Sequence, residues 1–315
     1  MRTMVVSSPE ELAVVDAPEP VPAAGQVRIE VDAVGVGYLD VMAQRGQYRT
    51  TLGAGAVPGA EVVGRVAAVG PGTPTGLVGN RVLAVMPDFG GFAEQVLAEA
   101  DAVFPAPDEL DAAEVVGLGL NAIVAELGLH RAGVRAGDRV LVLGAGGGIG
   151  VLATQIARAH GAEVTVMTSS EARGERLRAL GATHVVDRNR TGSPEGETYD
   201  LVVDPIAGPA LGKHLRLLRP NGRYVLCGGA AGIPDPQALL SLLEDFHKSP
   251  TLFAFSLTAV SARERRQSWE RIMGLLAEGR LVSVVDQSLP LAEAGAALER
   301  VAEGKPFGKV VLHPR

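Results

Sequence analysis

Between Arg139 and Arg158 the chain runs without a single charge, VLVLGAGGGIGVLATQIA, and no other stretch limits the fold so strongly. Its length approaches that of a membrane-spanning helix. The glycine cluster from Gly144 to Gly150, however, divides it into a short β-branched run and a longer run with helical apolar spacing. A buried strand, a tight turn and a buried helix satisfy that pattern. The same alternation continues downstream. Strands DRVLVLG, AEVTVMT, THVVD, YDLVVD, GRYVLCG and TLFAFSL are separated by helical stretches at Ile149 to Ala159, Ala172 to Leu180, Pro209 to Leu218 and Asp235 to Phe246, with another at Arg263 to Glu278. Repeated β-α-β units predict an α/β fold with a doubly wound parallel sheet, over residues 112–256.

The first 111 residues follow different rules. Short alternating runs such as QVRIEVDAVGV, AEVVGRVAAVG and NRVLAVM are broken by Gly and Pro, which predicts a β-rich, barrel-like domain with one helix near Tyr38 to Arg45. After Gly279 come VSVVDQSLPL, a helix around Ala292 to Glu303 and a last strand, GKVVLHP. A final strand without a following helix fits the parallel sheet poorly. It is expected to return to the first domain, which becomes discontinuous over 1–111 and 257–315. The 315 residues leave room for both domains. A single cysteine, Cys227, rules out an intrachain disulfide and a multi-cysteine metal cluster. The net charge of −7 argues against a nucleic-acid partner. Glu10 and Glu11 interrupt the N-terminus before any apolar stretch of signal-peptide length, so a cytoplasmic location and no membrane partner are expected.

The glycine turn carries the first chemical signal. It reads A-x-G-x-x-G, with Ala145, Gly147 and Gly150 in the places of the dinucleotide-binding glycines. A helix opening near Gly148 would aim backbone N–H groups and its positive dipole end at a pyrophosphate. Methyltransferases and plain strand-to-helix turns share such runs. The next strand narrows the choice. NAD-preferring sites place an acidic residue about 20 positions past the first glycine, whereas AEVTVMTSSEAR ends in Thr168, Ser169 and Ser170 with Arg173 beyond. Hydroxyls with a guanidinium suit the 2′-phosphate of NADPH. Arg188, ending the following strand, either closes the same pocket or is a solvated loop residue. His130, His160, His184, His214, His247 and His313 show no metal-ligand spacing, and no G-x-S-x-G is present. Cys227, beside Gly228, is either a crevice thiol or a small buried apolar residue.

Taken together, VGVGYLDVMAQRGQY, PGAEVVGRVAAVG, FAEQVLAEADAVFPAPDEL, the glycine turn, YDLVVDPIAGPAL, LRPNGRYVLCGG and the closing GLLAEGRLVSVVDQSLPLAEAGAALERVAEGKPFGKVVL resemble, in order and nearly end to end, the zinc-independent medium-chain dehydrogenase/reductases of the quinone oxidoreductase type. The resemblance implies a GroES-like catalytic domain and a Rossmann cofactor domain. In zinc-dependent relatives a histidine precedes the glutamate of PGAEVVG and a cysteine lies upstream; here Ala60 and Gly37 or Tyr38 stand there, and the structural-zinc lobe is missing. Without a Lewis acid, hydride addition is easiest when charge delocalises, as in quinones and α,β-unsaturated carbonyls. The resemblance also places Gly148 and Ile149 at the pyrophosphate, Thr168, Ser169, Arg173 and Arg188 at the adenosine phosphate, and Cys227, Gly228, Phe255, Ser256 and Lys309 along the nicotinamide end. Lys309 equally fits a surface cation.

Two positions depart from the family. Gly37 replaces a common asparagine and Asn121 a threonine, which points to a roomier pocket; Asn121 remains able to hold a carboxamide or substrate carbonyl. Tyr48 matches the family's G-x-Y tyrosine and is the candidate proton donor, because a phenol is protonated at neutral pH. A tyrosine that only lines the site, with water as proton source, is the alternative. The expectation is an NADPH-dependent reductase of a small-molecule quinone or enone, the roomier pocket pointing to an acceptor bulkier than a small quinone. An enoyl reductase of thioester or natural-product intermediates is the alternative, and an NADPH-binding sensor a third reading. TLFAFSL, as an exposed apolar sheet edge, predicts a homodimer.

Overall fold

The computed structural model describes residues 1–8, 11–190 and 196–314. In chain order, the N-terminal part holds β1 (Arg2–Ser8), β2 (Glu11–Asp16), β3 (Gln26–Val36), α1 (Tyr38–Gln44), β4 (Glu61–Val69), β5 (Arg81–Val85), β6 (Gln95–Glu99), β7 (Val103–Pro105) and α2 (Ala112–Arg131). The middle alternates β8 (Arg139–Val142), α3 (Gly148–Ala159), β9 (Glu163–Thr168), α4 (Glu171–Ala179), β10 (His184–Asp187), β11 (Tyr199–Asp204), α5 (Leu211–Leu215), β12 (Leu218–Leu226), α6 (Leu240–Glu244), β13 (Thr251–Ala254) and α7 (Ala262–Ala277). The chain closes with β14 (Val285–Pro290), α8 (Ala294–Ala302) and β15 (Lys309–His313).

The chain divides into two compact units, Met1–Leu120 with Ser283–Arg315, and Asn121–Val282. The sequence pattern puts the joins at 111/112 and 256/257, and both fall later in the structure. The reason is packing rather than element type. Helix α7 belongs to the second unit because Trp269 is buried there and Arg271 makes a two-pronged ion pair with buried Glu126 of α2, at 2.5 and 2.8 Å. A capping box at Ser261 and Glu264 starts that helix. Helix α2 is interrupted at Gly119, beside the first join. By length and apolar composition α2 could cross a membrane, but most of it is buried within the protein, as in a core helix.

In the first unit β1 and β2 form an antiparallel pair, and the larger sheet runs β14-β15-β3-β4-β5-β7 with β6 also on β3. Strand β3 explains the core. Val27, Ile29 and Val31 point inward while Glu30 and Asp32 do not; a register shift between Val31 and Ala33 then leaves Ala33 to Val36 buried on both faces. Strand β15 pairs antiparallel with β3 at Val310 and Val36, within the first compact unit.

The second unit is a six-stranded, fully parallel sheet ordered β10-β9-β8-β11-β12-β13. Val140, Leu141 and Val142 of β8 are fully buried, which accounts for the uncharged run in the sequence. Strand order reverses at β8, the place where doubly wound sheets bind ligands outside the strands' carboxyl ends. The expected helix at 235–246 is instead a 3₁₀ turn over Pro236–Leu239 and the short α6. Pro236 opens that turn, Asp235 caps it through the Gln237 N–H, and Leu239, Leu240, Leu243 and Phe246 are left exposed.

Candidate functional site

The site begins where β8 ends. Gly147, in an extended conformation, precedes α3 with no side-chain cap, and its own N–H donates to Gly144 O at 2.9 Å. The first-turn N–H groups of Gly148 and Ile149 therefore open outward at the positive end of a twelve-residue helix, a ready anion site. Ala145 is buried, with its N–H on Met167 O at 3.3 Å. Gly150 permits the closeness of turn and helix: a Cβ there would stand 2.4 Å from Gly144 O and 2.6 Å from the Ala145 Cα. Asn121, first residue of the second unit, lays its side-chain Nδ2 over Gly148, 2.1 Å from where a Cβ would be.

One strand over, Thr168 ends β9 and is buried, while Ser169 is half-buried beyond it. Ser170 caps α4 by accepting the Arg173 N–H at 3.4 Å, which fixes where α4 starts. Strand β10 runs alongside, and the Arg188 N–H donates to Thr168 O at 2.9 Å. Thr168, Ser169, Arg173 and Arg188 thus gather at the carboxyl ends of two adjacent strands. Asn189 joins them, donating from Nδ2 to Ser169 O at 2.8 Å, and the sequence reading missed it. The two acids nearby are engaged: Glu171 pairs with Arg190 at 2.9 Å, and Asp187 accepts the Asn189 N–H at 3.0 Å.

On the other side of β8, Cys227 follows β12 with its N–H on Asp204 O at 2.9 Å. Burial, and then the Asp204 carboxylate, push its thiol pKa far up, so it stays a thiol at neutral pH; of the two readings the inert one fits. Gly228 lies against Pro205 O. The Phe255 N–H donates to Leu226 O at 3.3 Å, and the Arg131 guanidinium sits 5.5 Å from the Phe255 ring centroid. Ser256 is exposed and shares a 2.9 Å hydrogen bond with the Thr258 hydroxyl.

The first unit holds a different kind of site, three charged groups in an apolar interior: Asp40, Glu61 and Lys309 are all nearly inaccessible. The Lys309 ammonium donates to Glu61 Oε1, and the Leu120 N–H donates to Glu61 Oε2 at 2.7 Å. Asp40 accepts the Gly37 N–H on Oδ2 and the Gly59 N–H on Oδ1, both at 2.9 Å. Burial raises the Asp40 pKa to about 6, against the lowering effect of Gly37, Lys309 and Gly59. Lys309 is therefore no surface cation. Tyr48 is half-buried, edge-on to Phe89 with ring centroids 6.4 Å apart, and the Arg49 guanidinium lies 6.0 Å from its ring.

Comparison with known proteins identifies the fold and the family. Residues 23–108 match the family model of the alcohol dehydrogenase GroES-like domain, and residues 180–312 that of the zinc-binding dehydrogenases. The chain is 31% identical over 311 residues to a 2-haloacrylate reductase of a Burkholderia species, covering 93% of this chain and 92% of that protein. The quinone oxidoreductase of Thermus thermophilus, whose solved structures include its complex with NADPH, superposes with a TM-score of 0.85 at 31% identity, covering 99% of this chain and 100% of that one. The CurK enoyl reductase superposes with a TM-score of 0.85 at 26% identity, covering 99% and 98%. This chain belongs to the quinone oxidoreductase-like, zinc-independent medium-chain dehydrogenase/reductases.

For a medium-chain reductase the donor set has a clear meaning. An uncapped helix start flanked by a close-packed glycine turn fits a dinucleotide pyrophosphate, and the nicotinamide cofactor of this family supplies a hydride when bound. Among the described residues no group of three or more His, Cys, Asp or Glu side chains is placed to hold a metal ion. Glu61, the glutamate of PGAEVVG, accepts a hydrogen bond from the buried Lys309 ammonium. Sequence reasoning named Lys309 and passed over its partners. A signal for them existed: Asp40 and Glu61 are lone acids inside apolar runs, VGVGYLDVMA and PGAEVVG, where only a paired or neutralised acid survives burial.

Proposed function

We propose that this chain is an NADPH-dependent reductase that delivers hydride to a quinone or to the β-carbon of an α,β-unsaturated carbonyl. The observation that carries the reading is the end of β9: hydroxyls at Thr168, Ser169 and Ser170, with Arg173 and Arg188 beside them, where NAD sites place a carboxylate. The work of the chain's residues is then positional. The α3 start and its glycine turn hold the pyrophosphate, Ala145 and Gly147 shape that turn, and the arginines hold the 2′-phosphate. Cys227, Gly228, Phe255 and Ser256 border the nicotinamide end, while Asn121 supports its carboxamide or the acceptor carbonyl through its amide. The Tyr48 hydroxyl donates to the acceptor oxygen, where charge develops.

Purified protein should oxidise NADPH faster than NADH with members of a panel of quinones, enones and enoyl thioesters. Equal use of both cofactors, or no turnover with any acceptor, would reject the reading. The enoyl reductase alternative draws support from Gly37, which removes a polar side chain beside Tyr38, and from the CurK likeness. A panel in which only thioesters react would decide for it. The quaternary reading is a homodimer through β13, the edge strand of its sheet, with exposed Leu239, Leu240, Leu243 and Phe246 just before it in the chain. Light scattering at micromolar concentration should give twice the chain mass, and a monomer would reject it.

A further inference from the structure

A buried polar cluster outside the described groups lies at the carboxyl end of β11. Asp204, the last residue of that strand, is fully buried, and its side-chain oxygens accept three hydrogen bonds. The Tyr224 hydroxyl donates to Oδ2 at 2.6 Å, and the Ile206 and Ala207 N–H groups donate to Oδ1 at 2.8 Å each. Tyr224 is itself fully buried on β12, and both its burial and the carboxylate drive its pKa upward, so its proton stays on the hydroxyl and the donor role is permanent.

The captured amides define a turn, Pro205 to Gly208, in which Ala207 and Gly208 both take positive φ, 54° and 83°. An alanine in that region needs support from its surroundings, and the Asp204 carboxylate supplies it. The turn is wedged between two segments of the proposed cofactor site. On one side the Ile206 Cγ2 packs on Gly144, 2.5 Å from where a Cβ would stand, and Gly144 is the first residue of the pyrophosphate turn. On the other, Pro205 O meets Gly228, and Ile206 O accepts the Ala231 N–H at 2.6 Å.

We propose that Asp204 and Tyr224 are positioning residues for the cofactor, acting through the Pro205 to Gly208 turn to hold the pyrophosphate turn at Gly144 and the segment from Cys227 to Ala231 in binding register. The proposal rests on the dinucleotide reading of this site and adds residues to it that touch no cofactor. Loss of the tyrosine hydroxyl leaves one oxygen of a buried carboxylate without a donor, and the turn must give way to find one. Asp204→Asn is the conservative control for the turn: its Oδ1 keeps both amides, while its Nδ2 donates to the Tyr224 oxygen and the hydroxyl proton turns away from residue 204.

The test is equilibrium titration of wild type, Tyr224→Phe, Asp204→Asn and Ile206→Ala with NADPH and with NADH, followed by cofactor fluorescence, alongside amide hydrogen exchange of the cofactor-free proteins. Tyr224→Phe should raise the dissociation constant about tenfold and speed exchange at 205–208 and 144–150, with kcat at saturating cofactor within about twofold of wild type. Asp204→Asn should stay within about threefold. Ile206→Ala, which removes only a half-buried side chain and leaves the hydrogen bonds intact, should raise the constant about fivefold; it carries the test if Tyr224→Phe does not fold. Unchanged affinity in Ile206→Ala, or in folded Tyr224→Phe, overturns the proposal. A wild type that prefers NADH defeats the NADPH reading alone, since the same comparison then runs with NADH. Binding of neither dinucleotide overturns both.

Discussion

Asp40 offers the sharpest quantitative prediction. Its carboxyl is fully enclosed and its pKa is raised from 3.8 to about 6 in the native state, with burial as the main cause. In the unfolded chain the group ionises near its ordinary value, so between these two limits the native state binds more protons. Stability therefore falls as pH rises through that window, the reverse of a salt-bridged carboxylate. At about 1.4 kcal/mol per pKa unit, a shift of roughly two units corresponds to about 3 kcal/mol, present below pH 4 and lost above pH 6. Asp40→Asn removes the titration while keeping the side chain's size and one acceptor for the Gly37 or Gly59 N–H. The quantity to measure is the stability difference between variant and wild type at pH values from 4 to 7.5 and constant ionic strength, by urea unfolding followed by circular dichroism. Subtraction cancels the slopes of the other carboxylates. The variant should gain on wild type by about 2–3 kcal/mol across the range, most of it by pH 6. A difference flat to within about 0.5 kcal/mol would refute the reasoning. It would mean that the two backbone amides and Lys309 offset the desolvation of the carboxylate.

Gly150→Ala drives a Cβ to 2.4 Å from Gly144 O, so cofactor affinity should fall at least tenfold in titration and the melting temperature should drop. Arg271→Met strips the partner from buried Glu126 and should cost about 2–3 kcal/mol in urea unfolding, less than a fully buried pair because Arg271 is partly exposed. Tyr48→Phe should lower kcat with enones about tenfold or more and leave the cofactor dissociation constant unchanged, with quinones affected less. Arg173→Ala should raise the KM for NADPH and not that for NADH, moving the preference between them by about tenfold in steady-state rates.

Most of the cofactor domain was legible because its signals are local. A run of buried apolar residues, a glycine turn and a hydroxyl-rich strand end are each read within a dozen positions, and β8, α3 and β9 follow them closely. The cluster in the first unit was legible only in part, since Lys309 lies 248 residues from Glu61. No spacing rule reaches that far; what the sequence does carry is an acid in an apolar run, which announces a buried charge without naming its partner. Asp204 has the same signature in YDLVVDPIAG. Domain joins were misplaced for a related reason: the pattern shows where strands give way to helices, whereas α7 joins its unit through Trp269 and Arg271. The helix expected at 235–246 failed because a leucine-rich run with Pro236 at its start has no single apolar face to bury.

The hydrogen bonds in the first unit also bear on where a proton can come from. Both oxygens of Glu61 are taken, one by Lys309 and one by the Leu120 amide, and both oxygens of Asp40 are taken by the Gly37 and Gly59 amides. A group that hands a proton to a substrate must reach it within hydrogen-bond distance, and these side chains are enclosed by their own partners. Near neutral pH Asp40 has also largely lost its proton, because its raised pKa is still only about 6. The Lys309 ammonium is itself engaged by Glu61 Oε1. The three buried groups therefore serve to hold α1, the segment before β4, β4, β15 and the start of the helix beyond Gly119 together. Under the proposed function the half-buried Tyr48 hydroxyl is the candidate for proton delivery, with water as its competitor. The Tyr48 ring packs edge-on to Phe89 and beside Arg49, and under the proposed function its hydroxyl is the hydrogen-bond donor that an acceptor oxygen developing negative charge requires.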